Sequence, residues 1–106
     1  MTIVSQYDSI ILMIKSFRDK ETEALYCFRQ VSKKLPRDIQ ERARKKLRIL
    51  NAAKTLNDLK TPPGNQLEAS KKEGKGQHSI RINDQWRICF TWHETDACDV
   101  EITDYH

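Results

Sequence analysis

The sequence predicts an α+β domain: a small antiparallel sheet with two helices packed on one face, in the order β-α-α-β-β-β. Three observations lead there. Between Glu21 and Leu50 apolar residues recur at three- and four-residue intervals, the period of a helix that buries one face. From Ile80 to Ile102 they alternate with polar residues, the period of a strand that buries one face. The connections in this second half are too short for crossovers, so its strands must be antiparallel neighbours.

Taken in order, Ile10–Phe17 begins apolar and then alternates, which suits a short first strand ending at Arg18-Asp19. From Glu21 to about Lys34 the spacing is helical, with Ala24, Leu25, Phe28 and Val31 or Ser32 on one side; Pro36 ends that helix because it has no N–H to donate. A second helix is expected near Asp38, which can cap the free N–H groups there. Ile39, Ala43, Leu47 and Leu50 form its buried stripe, flanked by Arg42, Arg44, Lys45, Lys46 and Arg48. Leu56–Leu59 reads as one further turn, capped by Thr55 or Asn57, and Thr61-Pro62-Pro63-Gly64-Asn65 then breaks regular structure. Glu68–Gly76, with Lys71, Lys72 and Lys75, reads as a flexible basic loop.

Three strands follow. Ile80 and Ile82 flank Arg81, and Asn83-Asp84 supplies a turn. Trp86, Ile88, Phe90 and Trp92 take one face of the next strand and Arg87, Cys89 and Thr91 the other. After a turn at Glu94-Thr95-Asp96, Cys98, Val100 and Ile102 form the apolar side of the last strand, opposite Asp99, Glu101 and Thr103.

With 106 residues there is room for one core and one domain. Met1–Leu12 reads as an extension or an upstream start, and 13–106 as the domain, because Met13 opens the regular part of the sequence. Nineteen Lys and Arg against fifteen Asp and Glu leave a net charge of +4, which favours polyanionic partners, nucleic acid first among them. Cys27, Cys89 and Cys98 are too few and too scattered for a disulfide framework and contain no C-x-x-C pair, so a reducing cytoplasm is the expected compartment. The apolar run Ile10–Ile14 is too short to span a bilayer. No Gly-rich phosphate loop, metal-binding histidine spacing or cofactor motif is present, so no metal or cofactor is expected.

The chemistry-bearing end is Asp104-Tyr105-His106: a carboxylate, a phenol and an imidazole in succession after a strand. An imidazole titrates near neutrality and can give or take a proton in a transition state. Cutting RNA without a metal needs a base for the 2′-hydroxyl, an acid for the departing 5′-oxygen and fixed positive charge for the phosphate. Arg87, on the non-core side of its strand, can supply that charge, with Arg81 on the neighbouring strand; Tyr105 could stack on a base.

Pro62-Pro63-Gly64-Asn65, then Gly76-Gln77-His78-Ser79-Ile80-Arg81-Ile82-Asn83, Trp86-Arg87-Ile88-Cys89-Phe90 and a final Val100–His106 together resemble the HigB toxins of the RelE/ParE superfamily. The likeness runs from Met13 to the C-terminus. It implies a RelE-like fold and the activity of a messenger-RNA interferase, which enters the ribosomal A site and cuts the codon there. It also implies a helix-turn-helix antitoxin of the HigA type, whose complex with the toxin binds operator DNA. By this resemblance Asp104, Tyr105 and His106 form the catalytic group, Arg87 stabilises the phosphate and Lys71 matches a basic loop position; the loop differs in detail from the family, and Lys72, Lys75 and Arg81 are expected from their charge to contact RNA or the ribosome with it. Glu68 stands where some HigB toxins carry a histidine; it can serve as a general base but brings no positive charge. The α-carboxylate of His106 lies beside its own imidazole and favours the protonated ring, so residues added after it are expected to weaken the toxin. Two other readings share the fold: a ParE-like inhibitor of DNA gyrase that cuts nothing, and a degenerate member that only binds its antitoxin or RNA. A gyrase binder has no need of Arg87 with Asp104-Tyr105-His106, which favours the nuclease.

Overall fold

A computed structural model describes residues 14–28, 33–69 and 76–104. The expected start of the first strand, Val31 and Ser32, the loop lysines 71, 72 and 75, and Tyr105 and His106 lie outside them.

Helix α1 (Lys20–Cys27) starts where the Asp19 carboxylate accepts the Thr22 N–H, with Glu21 and Glu23 in its first turn. It ends before the expected Lys34: Lys33, Lys34 and Leu35 lie in bends, and Phe28, expected on the buried side, is 65% exposed. Helix α2 (Arg37–Ala52) buries Ile39, Ala43, Leu47 and Leu50, as its period requires. Its cap position is Pro36, with no side-chain bond, so Asp38 sits in the first turn rather than capping. Two short 3-10 turns follow, Leu56–Lys60 and Pro63–Asn65. Thr55, one of the two expected caps, accepts the Asp58 N–H, while the Asp58 carboxylate accepts the Lys54 and Thr55 N–H groups.

The sheet has four antiparallel strands in the order β1 (Glu68–Ala69), β2 (Gln77–Arg81), β3 (Trp86–His93) and β4 (Asp96–Asp104). Glu68 and Ala69, expected in the loop, are therefore an edge strand, opposite Ser79 and His78. Among the described residues, the N-terminal strand makes two parallel bridges to β4, Ile14 with Ala97 and Phe17 with Val100. Between β2 and β3 the Asn83 side chain accepts the N–H groups of Gln85 and Trp86, which fixes the expected turn.

One face of the sheet carries the helices and the core, in which Leu25, Leu47, Leu50, Leu59, Ile80, Ile88, Phe90 and Val100 are fully buried. Each such side chain contributes roughly 1.5–3 kcal/mol by leaving water. The alternation of β4 differs from the expected one. Cys89 faces Glu101 and Thr91 faces Cys98, so Phe90 is opposed by two residues, Asp99 and Val100. This bulge, with Asp99 at φ 51°, shifts the phase of the strand. Ala97 enters the core in place of Cys98, and Cys98 lies on the other face with Thr91. At the outer edge of β4 the Ile102 N–H is satisfied by the hydroxyl of Thr22, itself fully buried on α1.

Candidate functional site

The helix-free face is laid out by cross-strand register, because residues directly opposite one another point to the same side. One row runs Glu68, Ser79, Cys89, Glu101 across all four strands; the next is Arg81, Arg87, Thr103; a third is Gln77, Thr91, Cys98. Arg87 projects onto this face, as expected, but is buried, with only 7% of its surface exposed.

Its side chain crosses β2 toward the β1 edge. Nε donates to the Ser79 hydroxyl at 2.8 Å, and Nη2 donates to the carbonyls of Ser79, at 3.2 Å, and Gln66. The Glu68 carboxylate stands 3.9 Å from the same Nη2 and is itself largely exposed. Polar acceptors of this kind offset the cost of taking the guanidinium out of water.

The Gln66 carbonyl reaches Arg87 because Gln66 is left-handed, at φ 44° and ψ 60°, immediately after the Pro63–Asn65 turn. Asn65 holds that turn. Fully buried, it donates to the Leu59 and Thr61 carbonyls and accepts from the Lys46 ammonium of α2. Burial, with Arg42 and Arg81 nearby, pulls the Lys46 pKa below its usual value. Other cations of α2 also serve the fold: Arg44 donates to the Leu25 carbonyl at the end of α1, and Arg42 to the Ile82 carbonyl.

Of the residues the sequence singles out, Arg87 and Glu68 are brought together. Arg81 shares a rung with Arg87 and is paired to the exposed Asp84. Asp104 lies opposite Trp86, so it points to the side of the sheet away from Arg87, and its carboxylate accepts from the Gln85 amide at 2.9 Å. Ser79, Gln66 and Thr103 were not anticipated. Ser79 shares the parity of Arg81, a signal that was available; Gln66 acts through its backbone and left none. Thr103 is directly opposite Arg87, and its hydroxyl is the buried side-chain polar atom without a hydrogen-bond partner among the described residues. Also among the described residues, no three His, Cys, Asp or Glu side chains are grouped so as to hold a metal, and no helix is long and apolar enough to cross a membrane.

A four-stranded antiparallel sheet with two helices on one face is the arrangement of a RelE-like α+β protein. The family model described as RelE-like toxin of the type II toxin–antitoxin system HigB matches residues 15–106. Toxin HigB-1 of Vibrio cholerae serotype O1 is 39% identical over 80 residues, which cover 76% of this chain and 84% of that protein. An uncharacterized protein of Haemophilus influenzae is 29% identical over 81 residues, covering 76% of this chain and 80% of its own length. The chain belongs to the HigB-like toxin family of type II toxin–antitoxin systems, a membership that implies an antitoxin partner.

Proposed function

We propose that the chain is a ribosome-dependent mRNA endoribonuclease that arrests translation and growth in the cytoplasm, acting through residues 13–106 and without a metal. The observation that carries this reading is the Arg87 guanidinium, fixed on the helix-free face by Ser79 and Gln66 with the Glu68 carboxylate beside it. A fixed cation next to a carboxylate is what in-line attack by a 2′-hydroxyl requires.

In this mechanism a carboxylate or imidazole takes the 2′-hydroxyl proton, and the oxygen attacks the adjacent phosphorus. The bond to the 5′-oxygen breaks as an acid returns a proton to it, leaving a 2′,3′-cyclic phosphate and a 5′-hydroxyl. Glu68 is the base candidate on the described face, and His106 the acid. Asp104 orients the C-terminal group, Tyr105 stacks on a base, and Arg87 carries the extra charge of the transition state. Lys71, Lys72, Lys75 and Arg81 hold the RNA and the ribosome. The partner is a HigA-type antitoxin, and the pair together bind operator DNA.

The test is purified toxin added to ribosomes stalled on a defined mRNA, beside the same mRNA naked. Cleavage in the A-site codon, resistant to chelator and dependent on the ribosome, is expected. Uncut mRNA in both samples would overturn the reading, and so would DNA gyrase inhibition without cleavage.

A further inference from the structure

We propose that Ser79, together with the turn held by Asn65, positions Arg87 for the reaction, so that the orientation of the guanidinium is set by these residues as much as its charge is supplied by Arg87. The inference rests on the reading of Arg87 as the phosphate-stabilising group.

Two sides of the planar guanidinium are fixed independently. On one side the Ser79 hydroxyl accepts Nε–H and the Ser79 carbonyl accepts from Nη2. On the other, Nη2 also donates to Gln66 O. Bonds at both Nε and Nη2 define the plane of the group as well as its place, which a single ion pair would not do. Ser79 is only 3% exposed and does not lie opposite Arg87; it lies opposite Cys89, one rung away. Arg87 therefore lies diagonally across β2. A small side chain at 79 leaves room for it, and the serine hydroxyl adds an acceptor at Nε that glycine or alanine lacks.

The Gln66 side of the clamp is maintained at a cost. A non-glycine residue in the left-handed region costs about 1 kcal/mol, and such strain persists where surrounding structure over-determines it. Here that structure is Asn65, whose three hydrogen bonds reach Leu59, Thr61 and Lys46. Helix α2 is thus connected, through Lys46 and the Asn65 side chain, to the turn whose following carbonyl orients Arg87. Orientation matters because a displacement of about 1 Å in a catalytic group can lower a rate on the order of 100-fold.

The experiment is a double-mutant cycle on ribosome-bound mRNA, measuring the maximal cleavage rate and the half-saturating toxin concentration separately for wild type, Ser79→Ala, Arg87→Ala and the double variant. Ser79→Ala is expected to lower the maximal rate by roughly 10- to 100-fold with half-saturation unchanged, and to add nothing to Arg87→Ala. Ser79→Thr, which keeps a hydroxyl, is expected to recover rate. Additive losses in the double variant, or full activity of Ser79→Ala beside an inactive Arg87→Ala, would overturn the positioning role alone. Wild-type cleavage by Arg87→Ala would overturn the reading of Arg87 and the inference with it. A measurement on the unaltered protein stands even if Ser79→Ala fails to fold. The Arg87 Nε–H is expected as a slowly exchanging 15N-coupled NMR signal, and free exchange at that site would refute the clamp.

Discussion

One substitution made at two threonines should shift stability in opposite directions. Thr22 packs against β4 and Thr103 lies within it, and Thr→Val exchanges a hydroxyl for a methyl at each. At Thr22 the hydroxyl accepts the Ile102 N–H at 3.1 Å in a fully buried place, so valine leaves that N–H without an acceptor. An orphaned buried donor costs about 1–3 kcal/mol, offset by about 0.8 kcal/mol for the added buried methyl, for a net loss between about 0.2 and 2 kcal/mol. At Thr103 the buried hydroxyl has no hydrogen-bond partner among the described residues, so valine removes an uncompensated desolvation and is expected to stabilise by up to about 1 kcal/mol. Near this chain length 1 kcal/mol moves the midpoint by roughly 4–8 °C, so thermal and urea unfolding followed by circular dichroism resolve both changes. Thr22→Ser, which keeps the acceptor, should lose less than Thr22→Val. Destabilisation by Thr103→Val, or a neutral Thr22→Val, would refute the reasoning.

Asn65→Ala removes three hydrogen bonds from a fully buried side chain and should cost about 3 kcal/mol at roughly 1 kcal/mol each, read as a lower urea midpoint with an unchanged slope. Asp58 has its pKa lowered by the backbone N–H groups of Lys54 and Thr55; its folded value lies below the unfolded one, so its contribution is present above the unfolded pKa and lost as pH falls through the folded one. Asp58→Asn should therefore lower the urea midpoint at neutral pH, and the gap from wild type should close in acid, below the ordinary carboxylate range. Burial raises the Cys27 and Cys98 thiols above their usual pKa, assisted by Glu23 at the first and by Asp96 and Asp99 at the second. Both should alkylate with iodoacetamide more slowly than free cysteine near neutral pH, as peptide mass spectrometry of the folded protein would show.

The parts of the fold legible in the sequence are those where one period runs uninterrupted. The stripe Ile39, Ala43, Leu47, Leu50 and the alternation of Trp86–Trp92 belong to long elements, and both faces follow from them. The sequence suggests a longer helix α1 because nothing between Cys27 and Pro36 breaks a helix by composition. The β4 phase is hidden in the sequence because a bulge at one aspartate leaves the hydrophobic pattern looking regular, with Cys98 passing for a core residue. A two-residue strand such as Glu68–Ala69 carries no period at all. In the site, alternation placed Arg87 on the helix-free face, but what fixes it there is a serine hydroxyl and two carbonyls. Backbone acceptors have no sequence signature, and the left-handed Gln66 is not a residue that announces such a conformation.

The most direct test of the central claim is expression of the toxin followed by genome-wide mapping of mRNA 5′ ends, with Arg87→Ala and His106→Ala alongside. The proposed function predicts new 5′-hydroxyl ends within translated codons for the wild type and their loss in both variants. Growth arrest that persists in both variants with no such ends would contradict it.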